Sequence, residues 1–193
     1  MNNKLILISL CIIWLSAVCT GMASLYNYVN EPSEPGIVVR QRPASIQADE
    51  QIFQLVMTAH PHCPCTRASI SELDRLMAQT QGKLKARVFF QKPEGFSENW
   101  VKADLWKTAE RIPGVEVVID EDGNQSRSLG ATTSGQAFLF DPAGKLVFHG
   151  GITAARGHEG DNLGHSTIVA LVSGEKPDVG QTPAFGCLLR HQP

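Results

Sequence analysis

Charge is what the N-terminus of this chain lacks. Lys4 is the only charged side chain before Glu31, and none stands between Leu5 and Ala23. The whole chain also lacks an excess of either sign. Its 17 basic and 19 acidic residues leave a net charge of −2, which removes the electrostatic basis for binding nucleic acid. Internal repeats and low-complexity tracts are missing, which excludes solenoid and array architectures. No nucleotide or flavin motif is present, so any redox chemistry would draw its electrons from a separate partner. With 193 residues the chain is long enough for one domain and an anchor, and too short for two comfortable domains.

The uncharged run from Leu5 to Ala23 would span roughly 28 Å as a helix, close to the hydrocarbon thickness of a bilayer. Core helices of soluble proteins usually show a polar stripe, and this run has none. An uncleaved signal anchor is the preferred reading of residues 1–23. A signal peptide cleaved after Gly21-Met22-Ala23 and a lipoprotein modified at Cys19 are the alternatives. All three export the rest of the chain to an extracytoplasmic, periplasm-like compartment where thiols can be oxidised. The position of Lys4 agrees with that orientation.

Residues 24–48, with Pro32, Pro35, Gly36 and Pro43 and little periodicity, read as a stalk or linker. An ordered domain is expected over 49–175, followed by a C-terminal tail over 176–193 that carries Cys187. Within the domain, Ile52 to Thr58 is a short β-type run. Thr66 to Thr80 places Ile70, Leu73, Leu76 and Met77 on one helical face, with Gly82 as a stop. A second strand is expected over Leu84 to Phe90. A single helix is expected from Ser97 to Ile112, since Val101, Leu105, Ala109 and Ile112 share a face; Trp100 and Trp106 would pack on it. Val115 to Ile119 is a third strand. Gln136 to Phe140 and Lys145 to Phe148, joined by Asp141-Pro142-Ala143-Gly144, form a hairpin. Asn162 to Val172 is the last helix. This order implies an α/β domain whose mixed central sheet is covered by helices.

The chemistry is concentrated in His60-Pro61-His62-Cys63-Pro64-Cys65-Thr66, where a strand runs into a helix. A thiol at a helix N-terminus meets unsatisfied N–H groups and the positive end of the dipole, and both favour thiolate over thiol. Pro64 would rigidify the turn, and a protonated His60 or His62 would lower a thiol pKa further. A competing helix start at Ser69, with Glu72 closing a capping box, would take both cysteines off the terminus.

The chain resembles the thioredoxin-like superfamily, in its branch of exported, membrane-anchored redoxins. The residues responsible are Phe53-Gln54-Leu55-Val56-Met57-Thr58-Ala59, Cys63-Pro64-Cys65-Thr66-Arg67-Ala68, Ser71-Glu72-Leu73, and Phe138 to Leu146. The resemblance covers about residues 50 to 173 and implies a thioredoxin-like three-layer fold. It also implies a membrane-tethered thiol–disulfide oxidoreductase whose partners are protein thiols. In that register Cys63 is the attacking cysteine and Thr66 takes the usual resolving position. Ser134-Gly135 lies at the substrate platform, with Gly135 where the family has a cis-proline. The resolving thiol would be Cys65 or Cys187. A Cys63–Cys65 bridge would close a very small, strained and oxidising ring. Cys187 could serve only if the tail folds back. No cofactor is required.

Two other functions compete. His60, His62, Cys63 and Cys65 are soft donors suited to copper or zinc, the set for a copper-handling protein. Cys63-Pro64 is also similar to the peroxidatic Cys-Pro of peroxiredoxins, although His60 stands where that site needs a hydroxyl. A structural staple is the plainest reading of the cysteines, but so short a loop would stabilise little. Cys11 and Cys19 lie in the apolar segment and are assigned no chemistry. The stretch Gly150 to Asn162 is either an anion-binding loop at the entry of the last helix or a connector capped by Asp161 or Asn162.

Overall fold

The computed structural model describes residues 3–34, 36–46 and 52–189. Pro35, the expected boundary between 48 and 49, and the end of the tail at 190–193 lie outside the described residues. The chain divides into two compact units between Glu31 and Pro32. The first is helix α1, Asn3–Asn30, which runs on past Ala23 and is long and apolar enough to cross a membrane.

The second unit is built on a five-stranded mixed sheet in the order β3-β2-β1-β4-β5. Its strands are β1 Phe53–Ala59, β2 Leu84–Lys92, β3 Val115–Glu121, β4 Gln136–Phe140 and β5 Leu146–Gly151. β1, β2 and β3 run parallel, β4 is antiparallel to β1, and β5 is antiparallel to β4. The hairpin expected from Asp141 to Gly144 is therefore present. β1 is central and buried on both faces, so its sequence reads as a continuous apolar run rather than an alternation.

The pleat sorts these side chains into two cores. Leu55, Met57, Ala137 and Leu139 face one side, where they meet helices α2, Pro64–Gln79, α4, Asp104–Glu110, and α6, Leu163–Val172. Val56, Phe89, Phe138 and Phe140 face the other side, against Leu129 of α5, Asn124–Leu129, and against Ile46 and Leu189. Each fully buried phenylalanine contributes about 1.5–3 kcal/mol by leaving water.

The helix expected as one piece from Ser97 to Ile112 is divided. A short α3, Glu98–Val101, ends at Lys102, and Ala103, in extended conformation, starts α4. Helix α5 was not expected. It is held by Asp120, a buried carboxylate that accepts hydrogen bonds from Gln125 N–H, Ser126 N–H and Ser126 Oγ at 2.7, 3.0 and 2.6 Å.

Both flanking segments lie along this unit. Before β1, Arg42 N–H donates to Gly144 O, Leu146 N–H donates to Arg40 O, and Gln41 bridges Lys145. After α6, Gln181 bridges His149 of β5 and Leu188 bridges Thr133. Leu189 N–H donates to Thr132 O at 2.8 Å.

Candidate thiol site

α2 begins at Pro64, with Cys63 as its extended N-cap, so the competing start at Ser69 is not used. Proline at the first helical position sacrifices an N–H that would be unpaired there anyway. Cys63 Sγ sits at the positive end of α2 and is 1% exposed. The tail brings Cys187 Sγ to 2.7 Å from it, across 124 positions of sequence, and both are free thiols.

Burial pushes the Cys63 thiol up. That is more than offset by hydrogen bonds from the Cys187 thiol, from the Thr66 hydroxyl and from the Cys187 and Thr66 backbone N–H groups, so its pKa lies below the ordinary thiol value. Cys187 moves the other way. Burial, then its hydrogen bond to Cys63 and the charge there, push it to about 12, with Arg156 opposing. Cys65, half-buried, is raised by burial and by the charge of Cys63, again against Arg156. The pair is thus polarised in acidity: Cys63 is the more acidic thiol and Cys187 the one that holds its proton more tightly.

The Thr133-Ser134-Gly135 segment lies against this pair. Ser134 Oγ accepts the His60 N–H at 2.7 Å and shares a hydrogen bond with Thr66 Oγ1 at 2.5 Å. Ser134 N–H donates to Cys187 O at 2.9 Å. Gly135 has φ +88°, and a Cβ there would lie 2.5 Å from Ser69 Oγ. The tail returns at equally close range: a Cβ on Gly186 would stand 2.0 Å from Ser134 O. Only glycine lets residues 187–189 lie as a strand beside Thr132–Ser134.

His60 and His62 do not hydrogen-bond the sulfur. His60 is held below its ordinary pKa by burial and by His62, and its Nδ1 accepts the His62 N–H at 3.2 Å. The His62 ring packs on Trp100 with centroids 4.7 Å apart, and its Nε2 lies 2.9 Å from Trp100 O. Trp100 also meets the His60 ring at 5.6 Å and exposed Phe96 at 4.5 Å. The contacts that lower the Cys63 pKa come from Cys187 and Thr66. Trp100 is part of the site surround and not only a packing residue.

His60, His62, Cys63 and Cys65 are not brought together as a ligand set. Among the described residues no group of three or more His, Cys, Asp or Glu side chains is placed to hold a metal ion. The histidines turn to Trp100, whereas the sulfurs turn to one another and to Arg156, a cation that a metal would have to displace. The donor set does not fit copper. A cleft of about 390 Å³ lined by Pro61, His62, Arg67, Asp104 and Leu105 reaches Cys63.

The stretch from Gly150 to Asn162 divides its roles. Gly150 and Gly151 end β5, and Asn162 caps α6 by accepting the His165 N–H at 2.8 Å. In between, Arg156 reaches the tail and donates to Gly186 O. Arg156 is the site residue that sequence reasoning missed. Its only signal was being the one arginine in a run of glycines.

No family model matches the chain, and no curated protein matches it in sequence. Solved structures do match its fold. An uncharacterized conserved protein from Geobacillus kaustophilus superposes at TM-score 0.59 with 19% identity, covering 86% of this chain and 93% of that one. A hypothetical protein from Sinorhizobium meliloti superposes at TM-score 0.58 with 17% identity, covering 82% of this chain and 93% of that one. A putative thioredoxin from Neisseria meningitidis aligns more loosely, at TM-score 0.47 and 10% identity over 75% of this chain and 90% of that one, a likeness too loose to bear on function.

Proposed function

The chain has the thioredoxin-like fold, with three parallel strands and an antiparallel hairpin between helical layers, and on that premise we propose that it is a thiol–disulfide oxidoreductase held at a membrane by α1. The observation that carries this reading is the polarised pair, Cys63 Sγ at the α2 N-terminus and Cys187 Sγ 2.7 Å away. Fold alone does not imply activity; two thiols of opposed acidity in contact supply a nucleophile and a resolving group.

In the reducing direction the Cys63 thiolate attacks one sulfur of a partner disulfide. A mixed disulfide forms, and the partner's other sulfur leaves as thiolate and takes up a proton. Cys187 then gives up its proton and attacks Cys63 Sγ, which breaks the mixed disulfide and releases the second partner thiol. Two electrons have passed to the partner, and a Cys63–Cys187 disulfide remains. A partner dithiol reverses each step. Ser134 and Gly135 shape the wall beside the exchange, and Thr66 stabilises the sulfur that attacks. Cys65 is the spare thiol, and Cys187 rather than Cys65 resolves. The unit from Pro32 onward faces the extracytoplasmic side, where such a disulfide persists.

The test is mild oxidation of the full-length chain in detergent, followed by digestion and mass-spectrometric mapping. A Cys63–Cys187 linkage that a partner dithiol reopens is expected. A Cys63–Cys65 linkage, or sulfurs that stay reduced across a glutathione titration, would remove the assignment.

A further inference from the structure

Arg156 stands at the crossing of two segments that the sequence keeps apart. Its loop leaves β5 through buried Ile152, Thr153 and Ala155. The far end of the loop is pinned to α2, where Glu72, fully buried, accepts the Gly160 N–H at 2.8 Å and Ser71 Oγ donates to Glu159 at 3.0 Å. The half-buried guanidinium therefore projects from a fixed base. It donates to Gly186 O, the carbonyl joined directly to Cys187, and its charge acts on the sulfurs of both Cys65 and Cys187.

We propose that Arg156 is a positioning residue for the Cys63–Cys187 exchange: it clasps the tail at Gly186 and stabilises the negative charge that gathers on Cys187 when its bond to Cys63 breaks. This rests on Cys63 and Cys187 being the redox pair. When that disulfide is opened, an incoming thiolate attacks Cys63 Sγ and a new S–S bond forms. The Cys63–Cys187 bond breaks, and its electron pair leaves on Cys187 Sγ, which later takes a proton from water. Exchange is faster when the departing sulfur is the better thiolate. Burial works against that at Cys187, and the guanidinium is the cation placed to oppose it.

The test compares wild type, Arg156→Gln and Arg156→Lys as full-length chains in detergent. Mapping of the oxidised proteins comes first: loss of the Cys63–Cys187 linkage in wild type would overturn the redox reading itself. With the linkage in place, its opening by dithiothreitol is followed at fixed pH and at two ionic strengths. Arg156→Gln is expected to open about tenfold more slowly, Arg156→Lys to recover most of the rate, and salt to slow wild type more than Arg156→Gln. A role limited to clasping would act in the opposite sense, because a loosened tail exposes the disulfide and speeds attack. Arg156→Gln opening as fast as wild type or faster, or Arg156→Lys as slow as Arg156→Gln, would overturn the proposal.

Discussion

Replacing Gly186 with alanine should unmask Cys63. The new Cβ would stand 2.0 Å from Ser134 O and 3.0 Å from Thr133 Cγ2, and a backbone oxygen cannot swing aside as the end of a side chain can. The tail must lift, losing Ser134 N–H to Cys187 O and Leu189 N–H to Thr132 O and partly withdrawing Leu189 from its core. Two hydrogen bonds at about 1 kcal/mol each and an aliphatic side chain at about 2 kcal/mol set an upper bound of roughly 4 kcal/mol. Overpacking typically costs about 1–3 kcal/mol, with some of the clash relieved by local shifts. Taking about 2 kcal/mol as the penalty on tail docking, the open population rises about 30-fold. Cys63 is 1% exposed with the tail docked, so its alkylation by iodoacetamide should rise by the same factor. Peptide mapping separates Cys63 from Cys65 and Cys187, and the main thermal transition, set by the core around α2 and α4, should move by only a few degrees. Unchanged Cys63 labelling with the expected mass shift present would show that the tail does not cover the thiol.

Three further outcomes follow from the same geometry. Thr66→Val removes the hydroxyl that reaches both Cys63 and Ser134. The Cys63 labelling midpoint should move to higher pH and its rate at pH 7 should fall about tenfold; an unshifted midpoint would remove Thr66 from the tuning. Gly135→Ala forces a side chain to φ +88° and a Cβ to 2.5 Å from Ser69 Oγ, which should lower stability by about 1–2 kcal/mol in urea unfolding, and a midpoint equal to wild type would contradict the close approach. His60, His149 and His165 all have pKa values lowered first by burial, so the unfolded chain takes up their protons more readily. Stability is then fully present above their unfolded value of about 6.5 and is lost as pH falls from there toward the depressed folded values. Thermal midpoints measured from pH 8 to pH 5 should fall, and a flat profile would argue against buried neutral histidines.

Strands and long helices were legible because their signals are local. Leu55 to Met57 is an unbroken apolar run, and Ile70, Leu73, Leu76 and Met77 repeat at helical spacing. Periodicity failed where it survived a break: Val101, Leu105 and Ala109 keep one face across Ala103, whose extended backbone ends α3 and begins α4. It was silent for α5, six polar-rich residues held by the buried carboxylate of Asp120 just before it rather than by an apolar face. At the site, the helix-terminal thiol could be read because Pro64 and the strand before it are adjacent in sequence. The histidines read as activators because they are also adjacent; their packing on Trp100, 38 positions beyond His62, has no such local signal. The docking of the tail, the reach of Arg156 and the approach of Cys187 to Cys63 depend on contacts spanning 30 to 124 positions, which leave no pattern in a single sequence.

The paired tail also sets a lifetime. Cys187 does not search for Cys63 from the end of a free chain, since contacts at Gln181, Gly186, Leu188 and Leu189 hold it against the sheet. A thiol held this way competes at an effective molarity far above that of any thiol in solution; well-oriented intramolecular pairs reach about 10⁵ M or more. A covalent complex between Cys63 and a partner would therefore be resolved internally almost as soon as the tail settled. Partners would leave little trace in wild-type preparations, and capturing one would require Cys187 to be replaced by serine.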